Sequence, residues 1–148
     1  MDHQTLKLRL TKEEGSWSRL YDDATGRSVK KGDLIQGNLT LGVGRNLFDN
    51  PLSPSEIDFL LDNDVMSAEA ACMSLPFWAA LNPNRQVAVA DMIFNIGITR
   101  FLKFPKLNAA LQAGNYAQAA AEVRDSLYYR QVGYRAEGIA RTLETGVL

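Results

Sequence analysis

The sequence predicts an α+β fold, predominantly helical, with a small β-containing lobe near the N-terminus and a larger helical lobe. Three observations predict it. Glycines at 26, 32, 37, 42 and 44 are interleaved with isolated apolar residues between Gly15 and Pro51, the texture of short antiparallel strands and hairpins. From Ser53 onward, apolar residues recur at helical spacing between clear start and stop signals. The length, 148 residues, is one domain's worth of chain and leaves no room for a separate binding module. The expected division is a single domain over 1–148, with the small lobe at about 15–52, the helical lobe at about 1–14 and 53–148, and a cleft at their seam.

Leu6 and Leu10, four apart, predict a short first helix that Gly15 stops from the C′ position. Val29, Leu34, Ile35, Leu39, Leu41 and Val43 supply the apolar residues of the strands. Ser53-Pro54-Ser55-Glu56 is a capping box with proline at the first helical position, and Ile57, Leu60, Leu61 and Val65 continue that helix. Asn82-Pro83-Asn84 opens an apolar helix with Val87, Ala90, Ile93 and Phe94 inside, ended by Gly97. Leu107–Leu111, Tyr116–Leu127 and Arg135–Leu143 predict three more, the first stopped near Gly114 and the last by Gly146. Trp17, Phe77, Trp78, Phe94, Phe101 and Phe104 are assigned to the core, and Cys72 reads as a buried small hydrophobe on the long helix.

Composition removes whole classes of function. A net charge of −1 argues against a nucleic-acid binder that relies on a basic surface. The charge is uneven: residues 51–100 hold two Arg and six Asp/Glu, whereas 101–148 hold six Lys/Arg and four Asp/Glu. Lys103, Lys106, Arg124 and Arg130 could therefore steer the C-terminal part toward an anionic polymer. The single cysteine forms no internal disulfide, the opening MDHQTLKLRL lacks the apolar core of a signal peptide, and no stretch is apolar enough to span a membrane. The one histidine, His3, lies beside a terminus, which leaves no Ser-His or Cys-His pair and no zinc site of the usual kind. Gly42-Val43-Gly44 lacks the third glycine of a phosphate loop and reads as a turn. A Ser-Lys pair survives arithmetically, but Lys7, Lys12, Lys30, Lys31, Lys103 and Lys106 lie mostly in polar surroundings, so carboxylates are the favoured acid and base.

Glu14 and Asp23 are the pair on offer. Acidic residues at a helix end and in a turn are ordinarily solvated surface. Glu14, however, sits in the last helical turn, where the macrodipole disfavours a negative charge, and that suits a group required to carry a proton. Cleaving an acetal needs one carboxylic acid to protonate the leaving oxygen and a second carboxylate beyond the sugar.

The order Glu14-Gly15, Tyr21-x-Asp23-x-x-Gly26, Thr40-Leu41-Gly42-Val43-Gly44 resembles the phage-type lysozymes, the endolysins of glycoside hydrolase family 24. The likeness continues through Leu52-Ser53-Pro54-Ser55-Glu56, Asp62-Asn63-Asp64-Val65, Arg85–Gly97 and Ser126–Gln131 with Arg135. It implies a lysozyme-like two-lobed domain with the active-site cleft between the lobes. It also implies hydrolysis of the β-1,4 bond between N-acetylmuramic acid and N-acetylglucosamine with inversion, without cofactor or metal. Glu14 would be the general acid, Asp23 would position or activate the water, and Thr40 would hold that water through its hydroxyl. Arg135 matches an arginine that pairs with the catalytic glutamate, the alternative being a solvated helix-end arginine. Tyr128 and Tyr129 are candidates for lining the cleft. Glu13 is also eight residues from an aspartate, Asp22, so spacing alone does not choose; the Glu-Gly and Tyr-x-Asp-x-x-Gly contexts do.

Two departures matter. Sixteen residues separate Asp23 from Thr40 where the common pattern has five, an insertion of about eleven within 27–38 that should lengthen the β-hairpin. Arg45 stands where many relatives have a histidine paired with an aspartate matching Asp64, so an Arg45–Asp64 pair is expected. By the same resemblance the protein is a monomer acting on bacterial peptidoglycan, with no nucleic-acid partner and no stable membrane insertion. It would be held in the host bacterial cytoplasm and reach the wall in the periplasm through a separate membrane-permeabilising protein, a holin. A lytic transglycosylase, which needs the acid but no water-positioning aspartate, and an inactive peptidoglycan-binding relative are the alternatives. Retention of Asp23 and Thr40 speaks against the first, and retention of Glu14, Asp23 and Thr40 together speaks against the second.

Overall fold

A computed structural model describes residues 1–148. Eight α-helices and one four-stranded antiparallel sheet form two compact units, Met1–Ile57 and Asp58–Leu148. The first holds the expected small lobe together with the first helix, and its boundary falls in the opening turn of the long helix rather than before it.

In the first unit, α1 runs His3–Glu14. The Asp2 side chain accepts the Gln4 N–H at its start (3.0 Å), and the Gly15 N–H bonds to Thr11 O at its end (3.0 Å). The strands are β1 (Trp17–Asp22), β2 (Arg27–Ser28), β3 (Leu39–Gly42) and β4 (Arg45–Asn46), in the order β2-β1-β3-β4. Tyr21 faces Thr40 and Asp22 faces Leu39 across β1 and β3, with an irregularity between Trp17 and Tyr21. The insertion does not lengthen the hairpin. After two residues of β2 the chain leaves the ladder, because backbone N–H groups at Gln36 and Gly37 bond to the Asp22 carboxylate instead of to a strand (2.8 and 3.0 Å).

The long helix α2 (Pro54–Met73) starts on the predicted capping box: the Glu56 carboxylate accepts the Ser53 N–H and hydroxyl, both at 2.8 Å. The expected Arg45–Asp64 pair is replaced by an Arg45–Glu56 ion pair, with Arg45 also donating to Asn50 O (2.8 Å) and Pro51 O (2.6 Å). The short 45–53 connection brings Glu56 round to the guanidinium, and the capping role already aims its carboxylate there.

In the second unit a 3₁₀ turn at Trp78–Ala80 leads to α3 (Pro83–Ile96), α4 (Ile98–Phe101), α5 (Pro105–Gln112), α6 (Tyr116–Arg124), α7 (Leu127–Val132) and α8 (Tyr134–Thr145). The predicted helix over 116–127 ends at Arg124, since Ser126 caps a new helix by accepting the Tyr129 N–H (3.0 Å). Phe77, Val89, Met92, Phe101, Leu107, Val123, Ile139 and Leu143 make the core, with Cys72 fully enclosed. The buried face of α3 is Ala88, Val89, Met92 and Ile93, against α8 and α4, rather than the expected Val87 and Phe94. Val87 and Phe94 line an apolar depression of about 600 Å³ with Leu61, Val65 and Trp78. Trp17 is likewise not core: it stays 39% exposed, its ring tilted against Tyr21 at 5.1 Å. No helix is long and apolar enough to cross a membrane.

Candidate active site

Glu14 is the last residue of α1 and exposed. Its carboxyl lies over the Val43-Gly44 turn between β3 and β4: a Cβ at Gly44 would stand 3.1 Å from its Oε2 and 3.3 Å from its Cδ. Only a glycine at 44 leaves that space free, and its φ of +69° is a conformation L side chains rarely adopt. The lone glycine pair of the sequence is thus a turn, and its second member is a floor beneath Glu14.

Asp23 follows β1 directly. Its carboxylate accepts the Asn38 backbone N–H on Oδ1 (2.6 Å) and the Asn38 side-chain Nδ2–H on Oδ2 (2.9 Å). The Asp23 N–H returns a bond to Asn38 O (3.1 Å). The Asn38 backbone and then its side chain hold Asp23 below the usual carboxylate range. Thr40, one position into β3, is 2% exposed, and its hydroxyl donates to Asn38 O (3.2 Å). Asp23 and Thr40 therefore meet on one residue, Asn38, and the Thr40 oxygen keeps only lone pairs for any other partner.

Asp22 is 5% exposed and accepts three backbone N–H groups, from Ala24 (3.0 Å), Gln36 and Gly37. The Gln36 amide is the main cause of its lowered pKa. This buried neighbour explains why Asp22 and Asp23, adjacent in sequence, are not interchangeable: one is a structural anchor and the other is presented to solvent.

In the second unit, Arg135 at the start of α8 donates through Nε to Asp91 Oδ1 of α3 (2.9 Å) and forms an ion pair with it. Asp91 is half-buried on α3, and its partner lies 44 residues further along the chain. Tyr128 is 4% exposed, which corrects its assignment as a cleft-lining residue: its ring belongs to the core, and its hydroxyl has no hydrogen-bond partner. Burial, then the Asp91 charge, pushes the Tyr128 phenol up. Tyr129 is half-buried against the same core. Arg124 is not free for an anionic polymer, because it binds Glu137 through two nitrogens (3.1 and 3.0 Å) and Glu144 at 3.0 Å. No group of three or more His, Cys, Asp or Glu is placed to hold a metal ion.

The sequence profile of the phage lysozyme family matches residues 11–142, a span that contains Glu14, Asp23, Thr40 and Arg135. The chain belongs to the phage lysozyme family. As a phage lysozyme it is an enzyme of the lysozyme type. Two probable T4-type lysozymes of Dictyostelium discoideum are 27% and 26% identical to it, each alignment covering 97% of this chain and 96% of the relative. The pre-baseplate central spike protein of Enterobacteria phage T4 is 32% identical over 78% of this chain, which spans only 22% of that protein.

Proposed function

We propose that this lysozyme is a peptidoglycan muramidase that cleaves the β-1,4 bond between N-acetylmuramic acid and N-acetylglucosamine by a single inverting displacement. The observation that carries the reading is the contrast between two carboxylates of one compact unit. Glu14 ends α1 with no hydrogen-bond donor on it and its carboxyl exposed over the 43–44 turn, a placement from which it can reach a leaving oxygen. Asp23 is held by two N–H donors and stays ionised, the setting for a group that orients water and faces developing positive charge. Bond by bond, the Glu14 proton passes to the glycosidic oxygen as the C1–O bond breaks. A water oriented by Asp23 adds at C1 from the opposite face, and its proton leaves toward the carboxylate. Thr40 contributes its oxygen as an acceptor and steadies Asn38. Arg135 and Tyr129 enter this reading only by family position.

An endolysin role, with passage from host cytoplasm to periplasm through a holin, is the cellular setting that suits the likeness to free-standing T4-type lysozymes. The likeness to a stretch of a baseplate spike supports a second setting, the same chemistry carried at the phage tail. End-group and anomer analysis of purified peptidoglycan digests tests the chemistry. Reducing N-acetylmuramic acid ends born in the α configuration are expected. Born-β ends would remove inversion, 1,6-anhydro ends would make the protein a transglycosylase, and binding without products would make it a wall-binding relative.

A further inference from the structure

We propose that Asn38 is the positioning residue for Asp23, and that the Gln36–Asn38 end of the insertion is built to present it, with buried Asp22 as its anchor. The inference rests on Asp23 acting as the water-orienting carboxylate, and it assigns work to a segment that the common family spacing lacks.

The geometry is a closed set of contacts between two stretches about fifteen residues apart. The Asp22 carboxylate is nearly enclosed, and although Arg27 faces it across β1 and β2, its oxygens are met by the three N–H groups of Ala24, Gln36 and Gly37. A buried carboxylate is costly unless its oxygens are hydrogen-bonded, so the returning chain cannot leave without exposing that cost. Gly37 permits the approach: a Cβ there would collide with the Asp23 carboxylate and would lie 2.7 Å from Ala24 Cβ and 2.8 Å from Ala24 N. The contact with Ala24 is to backbone, which cannot swing aside. With the chain held this close, Asn38 grips one oxygen of Asp23 with its backbone and the other with its side chain. A carboxylate rotates about two side-chain bonds, and two donors on different oxygens fix both rotations. An ionised carboxylate offers roughly four acceptor sites, so the clamp leaves sites open for water. Thr40 closes the set by donating to Asn38 O.

Asn38→Ala removes the side-chain donor while the backbone donor stays. Asn38→Asp keeps shape and replaces the donor by a like charge. Both variants, Asn38→Ser as partial rescue and Glu14→Gln should be assayed on purified peptidoglycan across pH, with thermal melts alongside. For Asn38→Ala, kcat is expected to fall about tenfold with little change in KM, the scale of a misaligned reacting group. The acidic limb of the profile should move to higher pH, because Asp23 loses a donor that favours its charged form. Asn38→Asp should move that limb further, and Asn38→Ser should restore part of the rate. A lower melting temperature with an unmoved acidic limb would make Asn38 a structural residue only and overturn the proposal. If Asn38→Ala does not fold, the isosteric Asn38→Asp decides by the same limb. Should Glu14→Gln retain activity, the catalytic reading itself fails; an inactive Glu14→Gln beside Asn38 variants with wild-type profiles would sink only the Asn38 inference.

Discussion

Replacing Gly44 by alanine separates backbone strain from disturbance of Glu14, because Gly42 is a built-in control. Both glycines lie at φ near +70°, +69° for Gly44 and +68° for Gly42, so an L side chain at either meets a similar conformational penalty of roughly 1–2 kcal/mol. For a chain of this size that is a fall in Tm of roughly 5 °C in each variant. Their surroundings differ. A Cβ at 42 meets nothing within 4 Å, whereas one at 44 stands 3.1, 3.3 and 3.4 Å from Glu14 Oε2, Cδ and Cγ. Glu14 must then give by a few tenths of an ångström or turn its carboxyl away. Where a displacement of about 1 Å of a reacting group costs on the order of a hundredfold, a shift of this size should lower kcat about threefold to tenfold. Melting curves and turnover on purified peptidoglycan measure the two effects independently. The expected result is matched Tm losses with an activity loss confined to Gly44→Ala. Equal activities in the two variants would refute the idea that the 43–44 turn sets the position of Glu14.

Three further outcomes follow from the packing. Ser53, then Arg45, pulls Glu56 down to about 2, below its ordinary 4.5. A depressed carboxylate stabilises the fold above its unfolded value and stops doing so as pH falls through the folded one. Arg45→Met should therefore cost stability in urea melts at about pH 6 and progressively less toward about pH 2; an equal cost at both would remove the Arg45–Glu56 pair as the cause. Leu107, 1% exposed, should cost about 2–5 kcal/mol on truncation to alanine, read as a lower urea midpoint, and a loss below about 1 kcal/mol would contradict its place in the core. Cys72 is fully enclosed and its thiol is pushed up to about 11, by burial first and then by Glu69, so thiol reagents at about pH 8 should leave it unmodified until denaturant is added; rapid native labelling would show the 58–148 unit to be open there.

What the sequence disclosed was what local chemistry decides. Proline at Pro54 and Pro83, the Ser53–Glu56 box and the glycines at 15, 97 and 146 mark helix ends by backbone rules that hold without tertiary context, and those ends are where the structure has them. The helical face was less legible. Val87 and Phe94 fit the apolar stripe of α3 as well as Ala88 and Met92 do, and only the approach of α8 chooses between them. Partners distant in sequence were not legible at all. Arg45 met Glu56 rather than Asp64, and Arg135 met Asp91, because pairing depends on where turns deliver a side chain. Glu14, Asp23 and Thr40 could be nominated through the family resemblance, yet Asn38, which bonds to two of them, carries no signature in a gap of sixteen residues. Asp22 beside Asp23 hinted at it: two adjacent acids invite the question of which one the fold uses for itself.

The most direct test of the account is peptidoglycan digestion by wild type, Glu14→Gln and Glu13→Gln, with products read by mass. Reducing muramic acid ends from wild type and Glu13→Gln, and none from a folded Glu14→Gln, are predicted. Undiminished products from Glu14→Gln, or their loss in Glu13→Gln instead, would contradict the assignment of Glu14 as the acid.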